Sequence, residues 1–523
     1  MNLGAKKIEF GDFQTPDNLA EDVAMFLKTQ RKVNPTVIVE PTCGVGSFVT
    51  ASLKAFPSLT KVFAYDINSD HLAALKRRLN TVPQCDVKVS AQNFFSYDWK
   101  AFLQKQPDGV LIIGNPPWVT NTAIGAIGGK NLPQKNNFQN HPGFLAMTGK
   151  ANFDISEWML IRLIESLKTK KASIAMLCKT ATARKVLKHS WNNDFSILEA
   201  ALYLIDAGSS FDVSVDACLF VVNTGAEAGP KTATIYSDLY SPKKITTFGL
   251  MGREFVSDTD SYAALKDLDG RSYYKWRSGV KHDASSVMEL TRNATSFVNR
   301  QGEPVEIEET YVYPMLKSSD LANRRLKPER YVLITQKLPN SPTNQIEQLA
   351  PRTWKYLCKN AQALSNRKSS IYKKRAQFSI FGVGDYTFAP WKVAISALYK
   401  DFHFEVLGMS GRKPIVLDDT CNFIPCKSRD EALFVCELLN SQLATRFLNS
   451  LVFLDNKRPI TIDILNRLDI FRLAQRLGLS NKAKMFLCDA SAFEDRQPLL
   501  VCDKKPRYKV NKNKKARHVT LAH

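Results

Sequence analysis

The sequence predicts an α/β protein: a doubly wound domain over residues 1–240, a mixed α+β region over 241–500, and a basic tail at 501–523. Three observations carry this. Short apolar segments alternate with amphipathic ones in the first part of the chain, which is the rhythm of a parallel sheet with crossover helices. The first apolar segment runs into a glycine-bearing turn, as strands do where a ligand approaches the main chain. Beyond about residue 245 the alternation gives way to interleaved aromatic and basic residues, as in "RSYYKWRSGVKHD" and "NRKSSIYKKRAQFSIFGVGDYTFAPWKVAIS".

The elements follow in order. "TVIVE" (Thr36–Glu40) reads as a strand and "GSFVTASLKAF" (Gly46–Phe56) as the helix after it. "KVFAYDI" (Lys61–Ile67) is a second strand, and "SDHLAALKRRL" (Ser69–Leu79) a helix capped by Ser69 or Asp70. "DVKVSA" and "GVLIIG" are further strands, "ISEWMLIRLIESLKTK" is a strongly amphipathic helix, and "KASIAMLC" is again a strand. "DACLFVVNTG" (Asp216–Gly225) is the last clear strand. The "GAEAGPK" after it reads either as a turn between late strands or as a boundary loop. "DKKPRYKVNKNKKARH" near the end reads as a mobile tail.

Bulk properties narrow the function. At 523 residues the chain is long enough for two or three domains. A net charge of +22 points to an anionic partner, nucleic acid first. The ten cysteines contain no CxxC pair and no matching histidine cluster, so no metal is expected and the thiols read as free and buried in a reducing cytoplasm. The start, "MNLGAKKIEF", lacks an apolar core segment, and no run of about 18 apolar residues exists. A cytoplasmic protein without a membrane span is expected.

Two stretches carry chemistry. In "EPTCGVGSF", Gly44 and Gly46 permit positive φ and close approach of a ligand. Asp66 closes the second strand at the spacing where a carboxylate takes the hydroxyls of a ribose. The third glycine of GxGxxG is missing, which argues against a nicotinamide dinucleotide. In "DGVLIIGNPPWVTN", an apolar strand ends in two prolines that stop both sheet and helix. Asn115 offers a carbonyl oxygen and Pro116, with Pro117 stiffening the turn, a second. Two acceptors aimed at one point suit an exocyclic amine, and Trp118 offers a face on which a base can stack.

At these residues the sequence resembles the gamma class of S-adenosylmethionine-dependent DNA adenine-N6 methyltransferases, the TaqI-type enzymes of restriction–modification systems. "FQTP", "EPTCGVGSF", "NPPW" and the basic aromatic region occur in that family's order. The resemblance implies a Rossmann-like methyltransferase domain followed by a target-recognition domain. It implies that Thr15 and Pro16 lie near the methionine end of the cofactor, that Glu40 and the Thr42–Gly46 turn pass beneath it, and that Asp66 binds its ribose. Asn93 and Phe94 fall where the family has Asp-Phe around the cofactor adenine, with the acid replaced here by an amide. Phe211 matches an aromatic that stacks on the other face of the target base. Asp154 reads either as a family-motif residue or as the N-cap of the helix after it.

The implied reaction is direct methyl transfer to an adenine flipped out of duplex DNA. Asn115, Pro116, Pro117, Trp118 and Phe211 would form the acceptor site. Lys317, Arg324, Arg325, Lys373, Lys374, Arg375, Lys457 and Arg458 would contact the DNA backbone. A separate cognate restriction endonuclease is a possible partner. The alternatives are methylation of RNA adenine or protein glutamine, a fused restriction–modification enzyme, and a non-catalytic DNA-specificity protein.

Overall fold

The computed structural model describes residues 14–79, 85–120, 154–211, 215–293, 296–373, 375–454 and 458–487. The expected tail at 501–523 lies outside them, as do Lys374 and Lys457. The chain forms two compact units. The first runs to Ser272 and takes in Ile395–Phe404 and Cys436–Arg476; the second comprises Tyr273–Ala394, Glu405–Val435 and the chain from Leu477.

The first unit is built on a ten-stranded sheet. Its strands are β1 (Val37–Glu40), β2 (Lys61–Asp66), β3 (Asp86–Ala91), β4 (Val110–Gly114), β5 (Ala172–Lys179), β6 (Ile197–Ile205), β7 (Ala217–Thr224), β8 (Thr232–Tyr236), β9 (Lys244–Met251) and β10 (Glu254–Val256), in the order β3-β2-β1-β4-β5-β7-β6-β8-β9-β10. The first five pair in parallel. Side chains alternate across this half of the sheet with period two. Ile38, Leu111 and Ile113 enter one core with helices α1 (Asp17–Thr29), α2 (Ser47–Ala55) and α3 (Ser69–Leu79). Val37, Val39, Val110 and Ile112 enter the other with α4 (Trp99–Gln104), α5 (Ile155–Leu167) and α6 (Thr180–Asn192). This is the expected doubly wound arrangement.

The late strands depart from an all-parallel sheet. β7 runs antiparallel to both β5 and β6, and β9 is antiparallel to β8 and β10. The "GAEAGPK" stretch is a turn between late strands, because β8 after it pairs with β6. The first unit therefore does not end at residue 240. It continues through β9 and β10, and the returning segment packs there: Phe453 stacks on Phe255 at 5.0 Å, and Ser257 N–H donates to Ser450 O at 2.7 Å. Local capping differs too. The cap of α3 is Asn68, whose Oδ1 accepts from Asp70 N–H at 2.9 Å, rather than Ser69 or Asp70. Asp154 does cap α5, accepting from Ser156 N–H at 3.1 Å.

The second unit is α+β. A six-stranded sheet and a four-stranded sheet are joined by short helices and long connections. The larger sheet begins at Glu289, which is only 5% exposed in its side chain. Lys317 Nζ donates to Glu289 Oε1 at 2.6 Å, and His282 Nε2 and Arg300 Nη1 lie 3.4 and 3.6 Å from the carboxylate. His282 Nδ1 accepts from Ala284 N–H at 3.2 Å, so Nε2 carries the hydrogen that faces Glu289. Burial alone would raise this carboxyl. The hydrogen bonds from His282 and Lys317 outweigh it and hold the group at about 2. Lys317, read from the sequence as a DNA-backbone contact, is held here as the counter-ion of a buried acid.

Lys317→Met should destabilise the protein by about 3 kcal/mol near pH 7, the low end for breaking a buried ion pair because two partners of Glu289 remain. A carboxyl held below its ordinary value of 4.5 contributes stability that is fully present above 4.5 and lost as pH falls towards about 2. In urea unfolding the gap between parent and variant should therefore be largest near neutrality and narrow in acid. No gap near pH 7, or one that widens in acid, contradicts this.

Candidate active site

The strand order reverses between β1 and β4, and in such sheets the crevice opens beyond the carboxyl ends of the strands on either side. Here that crevice is a cleft. Thr15, Glu40, Thr42, Gly44, Asp66, Phe94, Asn115 and Pro117 all line it. Residues far apart in sequence are gathered because each sits at a strand end or in the turn that follows.

The turn after β1 is held at two points on β2. Cys43 N–H donates to Tyr65 O at 2.7 Å and Gly44 N–H donates to Asp66 Oδ2 at 2.8 Å. Gly44 and Gly46 have φ of 50° and 90°, in the left-handed region. Side chains there would also collide. A Cβ on Gly46 would come within 2.2 Å of Leu75 Cδ1, and one on Gly44 within 2.5 Å of Gln14 Oε1. Gln14 Oε1 in turn accepts from Val45 N–H at 3.1 Å. Gln14, Ser47, His71, Gln92, Phe95 and Met159 also line the cleft, and the sequence reading did not single them out. Gln14 had a signal, since it directly precedes the Thr15-Pro16 pair. Met159 had none: it reaches the cleft from the buried face of an ordinary amphipathic helix.

The electrostatics of the cleft are acidic. Glu40 is 2% exposed, and burial, followed by the neighbouring charge of Asp66, pushes its carboxyl well above the usual carboxylate range. Burial and then the charges of Glu40 and Asp66 likewise push the Cys43 thiol up, so this cleft cysteine is no nucleophile. Asp66 uses both oxygens on backbone amides, Oδ1 accepting from Asn68 N–H at 2.8 Å, and each oxygen keeps a lone-pair direction.

After β4, Asn115 Nδ2 donates to Thr15 Oγ1 at 3.3 Å, joining the two ends of the cleft. Trp118 is buried, and its Nε1–H donates to Leu177 O at 3.2 Å. Phe211 meets it at 5.1 Å between centroids and 63° between planes. The two rings touch edge to face and leave no parallel slot, so in this structure Phe211 buttresses Trp118 instead of offering a second stacking face. Pro16, Gly46, Pro116 and Trp118 adjoin the cleft through their neighbours but do not line it. Asn93 does not line it either. Its Oδ1 accepts from Phe95 N–H at 2.8 Å, closing its own turn, while the flanking Gln92, Phe94 and Phe95 face the cavity. Asn93, expected near the cofactor adenine, thus closes a local turn here while its neighbours face the cavity.

The other basic residues lie in several environments. Lys373 and Arg375 are exposed, with Arg375 hydrogen-bonded to Asn340, and Arg458 is exposed as well. Arg325 pairs with the buried Asp320 at 3.5 Å and Arg324 lies 3.9 Å from Glu405. Among the described residues no cluster of His, Cys, Asp or Glu could hold a metal ion, and no helix is long and apolar enough to cross a membrane. The described cysteines are all free; five are buried, but Cys358 is exposed, unlike the expectation for the thiols.

The chain is 44% identical over 476 residues to the Type II methyltransferase M.NspV of Nostoc sp. (strain ATCC 29411 / PCC 7524), covering 91% of this chain and 99% of that protein. It shares 11% identity and a TM-score of 0.48 with the Type IIL restriction-modification enzyme MmeI solved in complex with DNA, over 86% of this chain and 64% of that one. It shares 14% identity and a TM-score of 0.30 with the methyltransferase subunit of a type I restriction-modification system from Streptococcus thermophilus, over 43% and 46% of the two chains. No family model matches the sequence.

The cleft suits S-adenosylmethionine on its own features. Glu40 Oε2 and Thr42 Oγ1 are buried polar atoms with no hydrogen-bond partner among the described residues, in the wall of a cavity. An acidic wall suits a cationic ligand, a strand-end carboxylate suits ribose hydroxyls, and Phe94 and Phe95 offer apolar surface for a base. Asp66→Ala should weaken binding of this cofactor by about 1.5–3 kcal/mol, the size of lost charge-assisted hydrogen bonds. Calorimetry checks this, and equal affinity in variant and parent refutes the ribose assignment.

Proposed function

As a member of the Type II methyltransferases, this chain is an S-adenosylmethionine-dependent methyltransferase, and we propose that its acceptor is the exocyclic N6 amine of an adenine in duplex DNA. The observation that carries the reading is the Asn115–Trp118 turn at the end of β4, with Asn115 and Pro117 in the wall of the cofactor cleft. An amine to be methylated must aim its lone pair at the methyl group, with its two N–H bonds turned away. Asn115 Oδ1 and Pro116 O accept from those N–H bonds, which shifts the nitrogen from planar towards tetrahedral geometry. As the N–C bond forms and the C–S bond breaks, a neutral thioether leaves and the nitrogen gives one proton to water. Bound cofactor supplies an electrophilic methyl group on a sulfonium.

The remaining work of the chain is positioning. An adenine within a duplex cannot enter a cleft at the strand ends, so it is flipped out, and Trp118 bounds one side of the space it enters. No covalent nucleophile is required, in keeping with a Cys43 thiol held protonated. Rate enhancement comes from orientation and from fixed dipoles around the amine. The second unit chooses the sequence. Its exposed cations, Arg324, Arg325, Lys373 and Arg375, together with Arg458, serve as phosphate contacts, and base-edge contacts specify the site. The chain then acts as the modification component of a restriction–modification system, with a separate cognate endonuclease.

Purified protein, tritiated cofactor and three acceptors test the reading: duplex DNA, structured RNA and a protein substrate with exposed glutamine. Label should enter DNA alone. Asn115→Ala should abolish this while leaving DNA affinity within about threefold, because affinity comes mainly from cations elsewhere. Label in RNA or protein instead, or near-parental turnover by the variant, overturns it.

A further inference from the structure

We propose that Lys179 is a positioning residue for methyl transfer: it pins the Trp118 end of the Asn115–Trp118 turn to Asp154. The inference rests on the reading of that turn as the acceptor site. Lys179 is the last residue of β5. Its Nζ donates to Trp118 O at 2.9 Å and to Asp154 Oδ2 at 2.7 Å. Two of the three ammonium hydrogens are thereby committed to fixed acceptors.

The position of this ammonium decides what it can do. The chain leaves the turn at Thr120 and returns at Asp154, where the two residues form an antiparallel bridge and Ile155 N–H donates to Val119 O at 2.9 Å. Asp154 is 8% exposed and already caps α5 through Oδ1, so its other oxygen is a buried anion that needs a cation. Lys179 supplies it. The same strand end grips Trp118 a second time, because Leu177 O accepts the indole N–H. The tryptophan is therefore held at both its backbone carbonyl and its ring by residues two apart in β5. Remove the ammonium and the ring keeps its bond, but the Trp118 carbonyl loses its own tie, and the backbone that carries Pro116 O and Asn115 is held at that end only by the Val119–Ile155 bond and the Thr120–Asp154 bridge beyond it.

Lys179 does not line the cofactor cleft. A positioning role therefore predicts a split that a merely structural role does not: the chemical step slows while cofactor affinity holds. The test is single-turnover methylation of unmodified bacteriophage DNA by the full-length protein at saturating cofactor, with calorimetric cofactor affinity in parallel. Lys179→Met should lower the rate about 100-fold, the effect of an ångström-scale misplacement, with cofactor affinity within about twofold. Lys179→Arg keeps the charge and two donors and should recover about tenfold of that loss. Asp154→Asn keeps an acceptor for the helix cap, removes the charge, and should slow the reaction in the same sense.

A Lys179→Met rate within about threefold of the parent overturns the proposal, as does a loss that Arg does not recover or one matched by equal loss of cofactor affinity. Should the Met variant fail to fold, Asp154→Asn decides, and a parental rate there overturns the proposal. Asn115→Ala, run alongside, separates the two levels: full activity in that variant defeats the reading of the turn itself, whereas its loss with an unaffected Lys179→Met defeats only the role of Lys179.

Discussion

The hydrogen bond from Gly44 N–H to Asp66 Oδ2 sets the geometry on which the rest of the cleft depends. It joins the turn after β1 to the end of β2, in a turn where Gly44 takes a left-handed φ. Once made, it fixes how far the turn can close over the sheet. It also leaves the Asp66 carboxylate facing the cleft rather than solvent. β4 lies on the other side of β1, so Asn115 is carried to the opposite wall by the same sheet. Three parallel strands that end at one level thus place a carboxylate, a glycine turn and an amide around one cavity, with no further machinery.

Burying two carboxyls in one cleft has a cost, and its form is informative. Glu40 and Asp66 repel each other, and burial disfavours the charge on Glu40. The raised affinity of Glu40 for its proton lessens that repulsion. A cationic ligand beside these carboxyls lessens it by supplying the opposite charge. The same field keeps Cys43 protonated and unreactive. What remains for the chain is to aim groups rather than to attack with one, and the restraint of Trp118 by Leu177 and Lys179 belongs to that task.

Much of the cleft was legible in the sequence because strand ends announce themselves. Gly44, Gly46, Asp66 and Asn115 each follow an apolar run and break its pattern, and a residue type with no local reason to be there points to a ligand. Asn93 shows the limit of that logic: an amide in the expected place was used by its own backbone turn, which spacing does not reveal. Lys317 shows another, since an isolated lysine in a sequence carries no mark of the buried Glu289 it neutralises. Lys179 lies one residue past the apolar run "KASIAMLC", and its partners lie 25 and 61 residues away. The sheet was legible where strands alternated with helices and not where β7 slipped between β5 and β6, because an apolar run gives the existence of a strand but not its direction.

The net charge of +22 belongs to a chain whose cleft wall carries Glu40 and Asp66 and, among the described residues, no lysine or arginine, so the excess of basic residues lies outside the cleft. That division fits an enzyme whose acceptor sits on a polyanion while its methyl donor is a cation. The most direct test of the account is modified-base sequencing of genomic DNA from a restriction-free host expressing the protein. The account predicts N6-methyladenine at one adenine of a single recurring sequence, absent from the same host without the gene. Unmodified DNA in cells that hold folded, cofactor-binding protein, or a modification on a base other than adenine, would contradict it.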